Sequence, residues 1–385
     1  MQIGHTVSLI DFVAIVGTFE GLLISIFLLL KESVKSEANR WLGLLVVSIT
    51  SVLLPGAIQQ LGLRSVLPHV VHLQMVTLLL NGPATYFYVR SCTQKDFKTT
   101  TLAWLHFLPA LLALCYHLPF YLSPNEDKIA AFIQFAQQGR INYPLWVPLS
   151  KIVHSTIYFV ISFQLVIKYR KHLTNTTSYI DNAFQRWLLV FCFVLLIPLI
   201  SVVVFTISSY QLFSSTTFYS AFFLFILFIH FGAILKPSLF HLFPHQMQLP
   251  TVEKAKKQKY ERSALQATQK EIYIEQLQTY MQTHKPYLNP ELTMPQLSEA
   301  VNISTHSLSQ IINEKLDCSF LEFINQYRVA EAKVKLEDAA FDNYTISAIA
   351  SDAGFKARST FYTAFKKHAG ITPNEYRKQQ KEKRT

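Results

Sequence analysis

Seven runs of about 20 mostly apolar residues, all before Lys236, constrain this chain more than any other feature. They extend from Ser8 to Leu30, Trp41 to Leu61, Val70 to Val89, Leu102 to Leu122, Trp146 to Ile167, Trp187 to Ser208 and Thr217 to Leu235. A helix of about 20 residues crosses a hydrocarbon core about 30 Å thick, so each run predicts one transmembrane helix. Composition agrees: half of the 385 residues are hydrophobic, 30 are Phe, and the mean hydropathy is +0.24. The first run lacks a basic amino-terminal region and is followed by six more. That pattern argues against a cleavable signal peptide and for a retained span.

Lys and Arg orient the bundle, because cytoplasmic loops collect them. Ten cations fall in three loops: Lys31, Lys35 and Arg40; Arg90, Lys95 and Lys98; Lys168, Arg170, Lys171 and Arg186. The alternate loops hold three, Arg64, Lys128 and Arg140. The expectation is an amino terminus outside and, after seven spans, a carboxyl terminus in the cytoplasm. For a bacterial chain the membrane is the inner one.

Ionisable groups inside spans are expensive and mark candidate sites. Asp11, Glu20, His72, His106, His117, Lys151, His154 and His230 lie in or near the runs. Asp11 and Lys151 are close enough to span ends to snorkel, and several His side chains suit the headgroup level. Glu20 stands mid-span. Glu20, His106, His154 and His230 are the candidate residues for binding a small-molecule or lipid signal. Pro55, Pro83, Pro109, Pro148 and Pro198 are expected to kink spans. No HExxH, GxSxG or phosphate loop occurs, so no catalytic residue is assigned. Cys92, Cys115, Cys192 and Cys318 have no zinc spacing, and neither a metal nor a cofactor is expected.

At His245 the character of the chain changes. Residues 1–245 carry 15 Lys and Arg with 8 Asp and Glu, whereas 246–385 carry 20 with 16. The segment 241–284 reads as a basic juxtamembrane stretch, Lys254, Lys256, Lys257, Lys259 and Arg262, that can face anionic lipid headgroups, followed by a helical linker. Leu265, Ile272, Leu277 and Tyr280 form an imperfect heptad seam, broken by Gln276 and Thr279, that suits a homodimer contact.

The tail, 285–385, has a different pattern. Ile346, Ile349 and Ala350 share one helical face, Gly354 supplies a turn, and Phe361 and Phe365 resume an apolar stripe four residues apart. This predicts a helix-turn-helix over 345–369. A matching unit is expected over 292–315, with Leu297 and Ala300 inward, Asn302 at the turn and Ser304 as the cap. A helix from Ser319 to Asp338, roughly 30 Å long, joins them. Thr305, His306, Ser307, Ser309, Gln310 and Asn313 are left outward in the first unit. Lys356, Arg358, Ser359, Thr360, Tyr362, Thr363, Lys366 and Lys367 are left outward in the second. These are donors suited to base edges and phosphates of double-stranded DNA, or alternatively to solvent alone. The last thirty residues hold nine Lys and Arg against two Asp and Glu, as a phosphate-facing surface requires.

From about Lys285 to Arg377 the tail resembles the DNA-binding domain of the AraC/XylS family of transcription regulators. The carrying residues are Leu297 to Ala300, Asn302 to Ser304, Phe320, Ile324, Arg328 and Ala332. In the second unit they are Ile349, Ala350, Gly354, Phe355, Ser359, Phe361, Phe365 to Lys367, Gly370, Thr372, Pro373, Tyr376 and Arg377. Asp317 departs from the family's usual Gly, and Thr363 from a frequent basic residue. The resemblance implies that helices starting near Thr305 and Arg358 enter the major groove and that RNA polymerase is a partner. The expected fold is all-α, a polytopic seven-helix transmembrane bundle over 1–240 followed by a cytoplasmic double helix-turn-helix. The expected function is membrane-anchored, signal-modulated DNA binding. The alternatives are an enzyme or transporter carrying a regulatory tail, and a passive anchor.

Overall fold

The computed structural model describes residues 9–30, 36–94, 97–138, 144–180, 182–207, 215–235 and 267–384. All regular elements among them are helical. The chain divides into two compact units, one of Met1–Ile167 with Ala183–Thr251, the other of Lys168–Asn182 with Val252–Thr385.

The first unit draws on α1 (Leu9–Leu30), α2 (Glu37–Gln60), α3 (Leu73–Thr77), α4 (Asn81–Thr93), α5 (Leu108–Leu122), α6 (Asn125–Gln138), α7 (Trp146–Thr176), α8 (Asn182–Ile207) and α9 (Ser215–Leu235). Ser36 caps α2 by accepting from the Asn39 N–H, and α2 then buries Leu42, Leu45, Val46, Ile49 and Leu53. It packs on α1, α4 and α9. A Cβ at Gly21 would lie 2.0 Å from the Thr50 hydroxyl, so glycine allows α1 and α2 to approach closely there. Buried hydroxyls bond within their own helices, Ser25 to the Gly21 carbonyl and Thr50 to that of Val46, each at 2.7 Å. Trp187 Nε1 donates to the Tyr88 hydroxyl at 2.8 Å. Large apolar side chains stand exposed on the surface of this unit: Ile26, Leu30, Leu102, Leu105 and Ile200 are all more than half exposed.

Among the described residues, five helices are long and apolar enough to cross a membrane: Phe12–Leu30, Glu37–Gln60, Thr101–Leu122, Trp146–Thr176 and Phe184–Val204. α9, 21 residues from Ser215 to Leu235, contains the apolar stretch Ser220–His230. Of the seven expected spans, the one over Val70–Val89 is helical throughout, with 3₁₀ turns at Pro68–His72 and Leu78–Leu80 alternating with α3 and α4. Pro83 has no N–H to offer the Leu79 carbonyl, in keeping with the 3₁₀ turn there. α6 was not anticipated because it is too polar to register as a span.

The second unit holds α10 (Ala267–His284), α11 (Met294–Ala300), α12 (Thr305–Glu314), α13 (Phe320–Glu337), α14 (Ile346–Asp352), α15 (Arg358–Ala369) and α16 (Pro373–Arg384). Thr293 and Gln296 form a reciprocal capping box on α11, while Ser304, Ser319 and Thr345 cap α12, α13 and α14. Asn302 (φ +52°) and Gly354 (φ +89°) take the left-handed turns expected of them. Asp317 takes one as well, at φ +48°, so the exit turn is preserved without glycine.

Two cores sit along α13. Its first half gives Phe320, Phe323 and Ile324 to a cluster with Leu297, Val301, Leu308 and Ile312. Its second half gives Val329, Ala332 and Leu336 to a cluster with Ile349, Ala350, Phe355, Phe361 and Phe365. Leu277 and Met281 of α10 are fully buried in the first cluster. The seam read as a dimer contact is thus partly spent inside the chain: Leu277 is core, Tyr280 packs against that core, and Ile272 is exposed. Gln276, which interrupts the seam, donates to the Val301 carbonyl at 2.7 Å. Leu265 and the basic residues 254–262 lie outside the described residues.

Candidate nucleic-acid interface

The second helix of each helix-turn-helix carries the candidate readers. On α12, His306 and Asn313 are exposed and Gln310 is half-buried. The Gln310 amide donates to the Glu314 carboxylate, and the Asn313 amide donates to the Ser309 carbonyl at 2.7 Å. Ser307 Oγ lies 2.8 Å from Ser304 Oγ, within the cap. Thr305 faces inward instead of outward, donating to Ser298 Oγ at 3.1 Å. It fastens α12 to α11.

On α15, Arg358, Ser359, Thr363, Lys366 and Lys367 are exposed. Arg358 lies over the Tyr362 ring at 5.2 Å, and its guanidinium donates to the Tyr362 hydroxyl at 3.3 Å. Tyr362 is half-buried against the second core. Thr363 donates to the Ser359 carbonyl at 2.9 Å. Thr360 departs from expectation, because its hydroxyl is buried. Among the described residues the exposed donors of α15 are therefore Arg358, Ser359, Thr363, Lys366 and Lys367.

Several cations are already engaged. Lys367 Nζ and His368 Nε2 lie 2.8 and 2.7 Å from the Glu322 carboxylate, joining the end of α15 to the first turn of α13. Lys356 Nζ lies 2.6 Å from Glu291 and 5.1 Å from the centre of the Tyr179 ring. The Lys356 ammonium holds the Glu291 carboxyl below its usual range. Any DNA contact by Lys356 or Lys367 thus exchanges one anion for another.

Arg328 holds this unit together. Only 1% exposed, it donates from Nε to the Tyr287 carbonyl and from Nη1 to the Ser178 carbonyl, both at 2.7 Å. Its Nη2 donates to Ser178 Oγ at 3.0 Å and to the Asn289 carbonyl at 2.7 Å. Burial pulls the guanidinium down to about 10. A Cβ on Gly354 would meet the Tyr287 carbonyl at 2.4 Å and Arg328 Nε at 3.0 Å. The turn of the second unit therefore requires glycine for space as well as for φ. Arg328 was visible in the sequence as a residue of the family pattern, but nothing there pointed to Ser178.

In the first unit the four signal-binding candidates come together two by two. His230 Nδ1 lies 2.7 Å from Glu20 Oε1. His106 Nδ1 lies 2.6 Å from the Tyr158 hydroxyl, and the His154 ring sits 4.8 Å from the Tyr158 ring. His154 also lines a cavity of about 790 Å³ with Lys151, His117, Tyr116 and apolar residues such as Leu112 and Ile157. Lys151 and His117, both buried and both among the ionisable groups that the runs contain, are further polar members of that cavity. Among the described residues no cluster of three or more His, Cys, Asp or Glu could hold a metal ion.

The capped helix pairs, left-handed turns and outward donors define a helix-turn-helix unit used twice. Residues 297–379 match the family model described as a helix-turn-helix domain. The tail is similar to a Staphylococcus aureus (MSSA476) protein described as an uncharacterized HTH-type transcriptional regulator, 32% identical over 104 residues, 27% of this chain and 13% of that one. It is also similar to a Bacillus subtilis protein described in the same words, 31% identical over 91 residues, 24% of this chain and 11% of that one. The chain thus spans about 13% of the length of the curated relatives it matches first. A solved Listeria innocua protein of unknown function is similar over 27% of this chain and 94% of its own, at 28% identity and a TM-score of 0.24.

Proposed function

We propose that this protein is a membrane-anchored, one-component transcription regulator that reads double-stranded DNA through α12 and α15. One observation carries the reading: a single chain joins a double helix-turn-helix with outward donors to helices long and apolar enough to span a bilayer, some with exposed Leu and Ile on their outer faces. His306, Gln310, Asn313, Arg358, Ser359 and Thr363 reach for base edges, while Lys356, Lys366 and Lys367 reach for phosphates. The names of the relatives, HTH-type transcriptional regulators, support the same function for the tail.

In this reading the apolar runs make seven spans in a bacterial inner membrane, with the amino terminus outside and the reader in the cytoplasm. Membrane lipids are standing partners. RNA polymerase is the partner implied by the family resemblance, and a homodimer is a further assembly that the reading accommodates. A small-molecule or lipid signal acts on the first unit. The cavity beside Lys151, His117 and His154 offers basic groups amid apolar walls, and its lining among the described residues includes no Asp or Glu, which suits an acidic amphiphile.

The test uses the full chain in lipid nanodiscs and fragments selected from the genome of its source. Retardation of particular fragments, competed by the same fragment and not by unrelated DNA, supports the reading. Retardation of none, by either the full chain or its tail, sinks it. If detaching the tail leaves the response to every stimulus unchanged, the first unit is a passive anchor.

A further inference from the structure

The residues between α7 and α8 belong to the second unit and lie along an edge of the reader. Thr177 forms an antiparallel bridge with Thr293, and the Ser178 N–H donates to the Leu292 carbonyl at 3.1 Å. The Ser178 carbonyl and hydroxyl take two of the four Arg328 hydrogen bonds. Thr177, Ser178 and Ile180 are all buried. Main-chain pairing supported by buried side chains is how an extended peptide adds to a receptive edge. The next residue, Tyr179, stacks under Lys356, one of the cations expected to meet DNA phosphate.

We propose that the reader carries a docking site for the segment Thr177–Ile180 of its own chain, which is held by one bridge and one main-chain hydrogen bond and built against Tyr287, Asn289, Leu292, Thr293 and Arg328, and that the seated segment restrains DNA binding. This inference rests on the DNA-reading role proposed above. Seating does two things. It holds Lys356 between Tyr179 and Glu291, where the ammonium is spent on protein partners. It also completes the hydrogen bonding of Arg328, whose guanidinium lies 5.8 Å from the centre of the Phe355 ring and beside the Gly354 turn, so the segment and the second helix-turn-helix share one buried group. Leaving the edge takes the Tyr179 ring away from Lys356, so that phosphate competes with Glu291 for the ammonium without that ring, and it releases that turn from one of its supports. α7 ends one residue before the segment and α8 begins two residues after it, so a change in either helix reaches this contact through the chain itself.

The experiment locks and unlocks the segment in the full chain in nanodiscs. Residues opposed across an antiparallel bridge have Cα atoms about 4.5–5.5 Å apart, within the range a disulfide spans. The pair Thr177→Cys and Thr293→Cys, with Cys92, Cys115, Cys192 and Cys318 replaced by Ser or Ala, is therefore expected to cross-link on oxidation. Ser178→Pro removes the N–H that bonds Leu292, and Tyr179→Ala removes the ring over Lys356 while leaving Arg328 its partners. Binding is read on a random-sequence duplex by fluorescence anisotropy across a salt series. One recovered phosphate contact steepens the salt slope by about 0.9, which at about 0.1 M salt is about an eightfold difference in Kd. Ser178→Pro and Tyr179→Ala should bind tighter than the locked chain by up to that factor, reduction of the disulfide should recover part of it, and Lys356→Gln should abolish the gain. Failure of the cross-link to form overturns the docking site. A cross-link with the same Kd and slope in locked, reduced and unlocked chains overturns the restraint. If the cross-link forms but no version binds duplex DNA, the DNA reading itself has failed and the restraint falls with it.

Discussion

Replacing Arg328 with Lys keeps the positive charge but removes the planar fork that serves four acceptors at once. The guanidinium meets Tyr287 and Asn289 ahead of the first helix-turn-helix, together with Ser178, while it packs beside the turn of the second. An ammonium has three donors in a cone and no counterpart of Nε, so at least one of the four bonds is lost. Each charge-assisted bond contributes about 1.5–3 kcal/mol net, so the loss is at least about 1.5–3 kcal/mol, a sizeable part of the ~5–15 kcal/mol that holds a domain folded. Hydrogen exchange of the full chain in nanodiscs reads this locally. Since about 1.4 kcal/mol is tenfold, protection in α11, α12, α14 and α15 should fall about tenfold or more, in both helix pairs together. Protection within about threefold of wild type, or a loss confined to one pair, would refute Arg328 as the shared support.

Further outcomes follow from the same geometry. Gly354→Ala meets both a left-handed φ, costing about 1–2 kcal/mol, and the Tyr287 carbonyl at 2.4 Å, so the melting temperature of the second unit should fall by several degrees. Leu277→Ala should destabilise that unit by about 2–5 kcal/mol in a urea titration, whereas Ile272→Ala, at an exposed position of the same helix, should be close to neutral. Lys366→Gln should lower the salt slope of DNA binding by about 0.9, and Lys367→Gln by less, because Lys367 is already paired with Glu322. The carboxyls of Asp342 and Glu375 are held low, the first by Arg384 and the second by the Thr372 N–H and hydroxyl. Groups whose folded pKa is depressed contribute stability above their unfolded pKa. Both are reached by solvent, so the melting temperature of the second unit should hold down to about pH 5 and fall only slightly below about pH 4.

Features governed by local chemistry were legible in the chain. Asn302 and Gly354 take left-handed turns because few other residues do so cheaply, Ser304 caps α12 because its side chain reaches the next turn, and α13 lies between Ser319 and Asp338 as read. Features that depend on a distant partner were not. Apolar spacing shows that Leu277 is buried but not against what, and so a core position was read as a seam. Thr305 and Thr360 were assigned outward on polarity alone, although a threonine hydroxyl can as readily turn toward its own fold. The seat of Ser178 on Arg328 joins positions far apart in sequence, beyond any periodicity. Hydropathy located the apolar runs, yet it could not foresee the 3₁₀ turns within the third.

The most direct test of the account is a DNase I footprint made by the full chain held in lipid vesicles on a fragment it selects. The account predicts two protected blocks about one helical turn, roughly 10 base pairs, apart on the same face of the duplex. Arg358→Ala should weaken one of them and Gln310→Ala the other. A vesicle-bound chain that leaves every fragment uniformly cut, or that protects a single block sensitive to neither substitution, would contradict it.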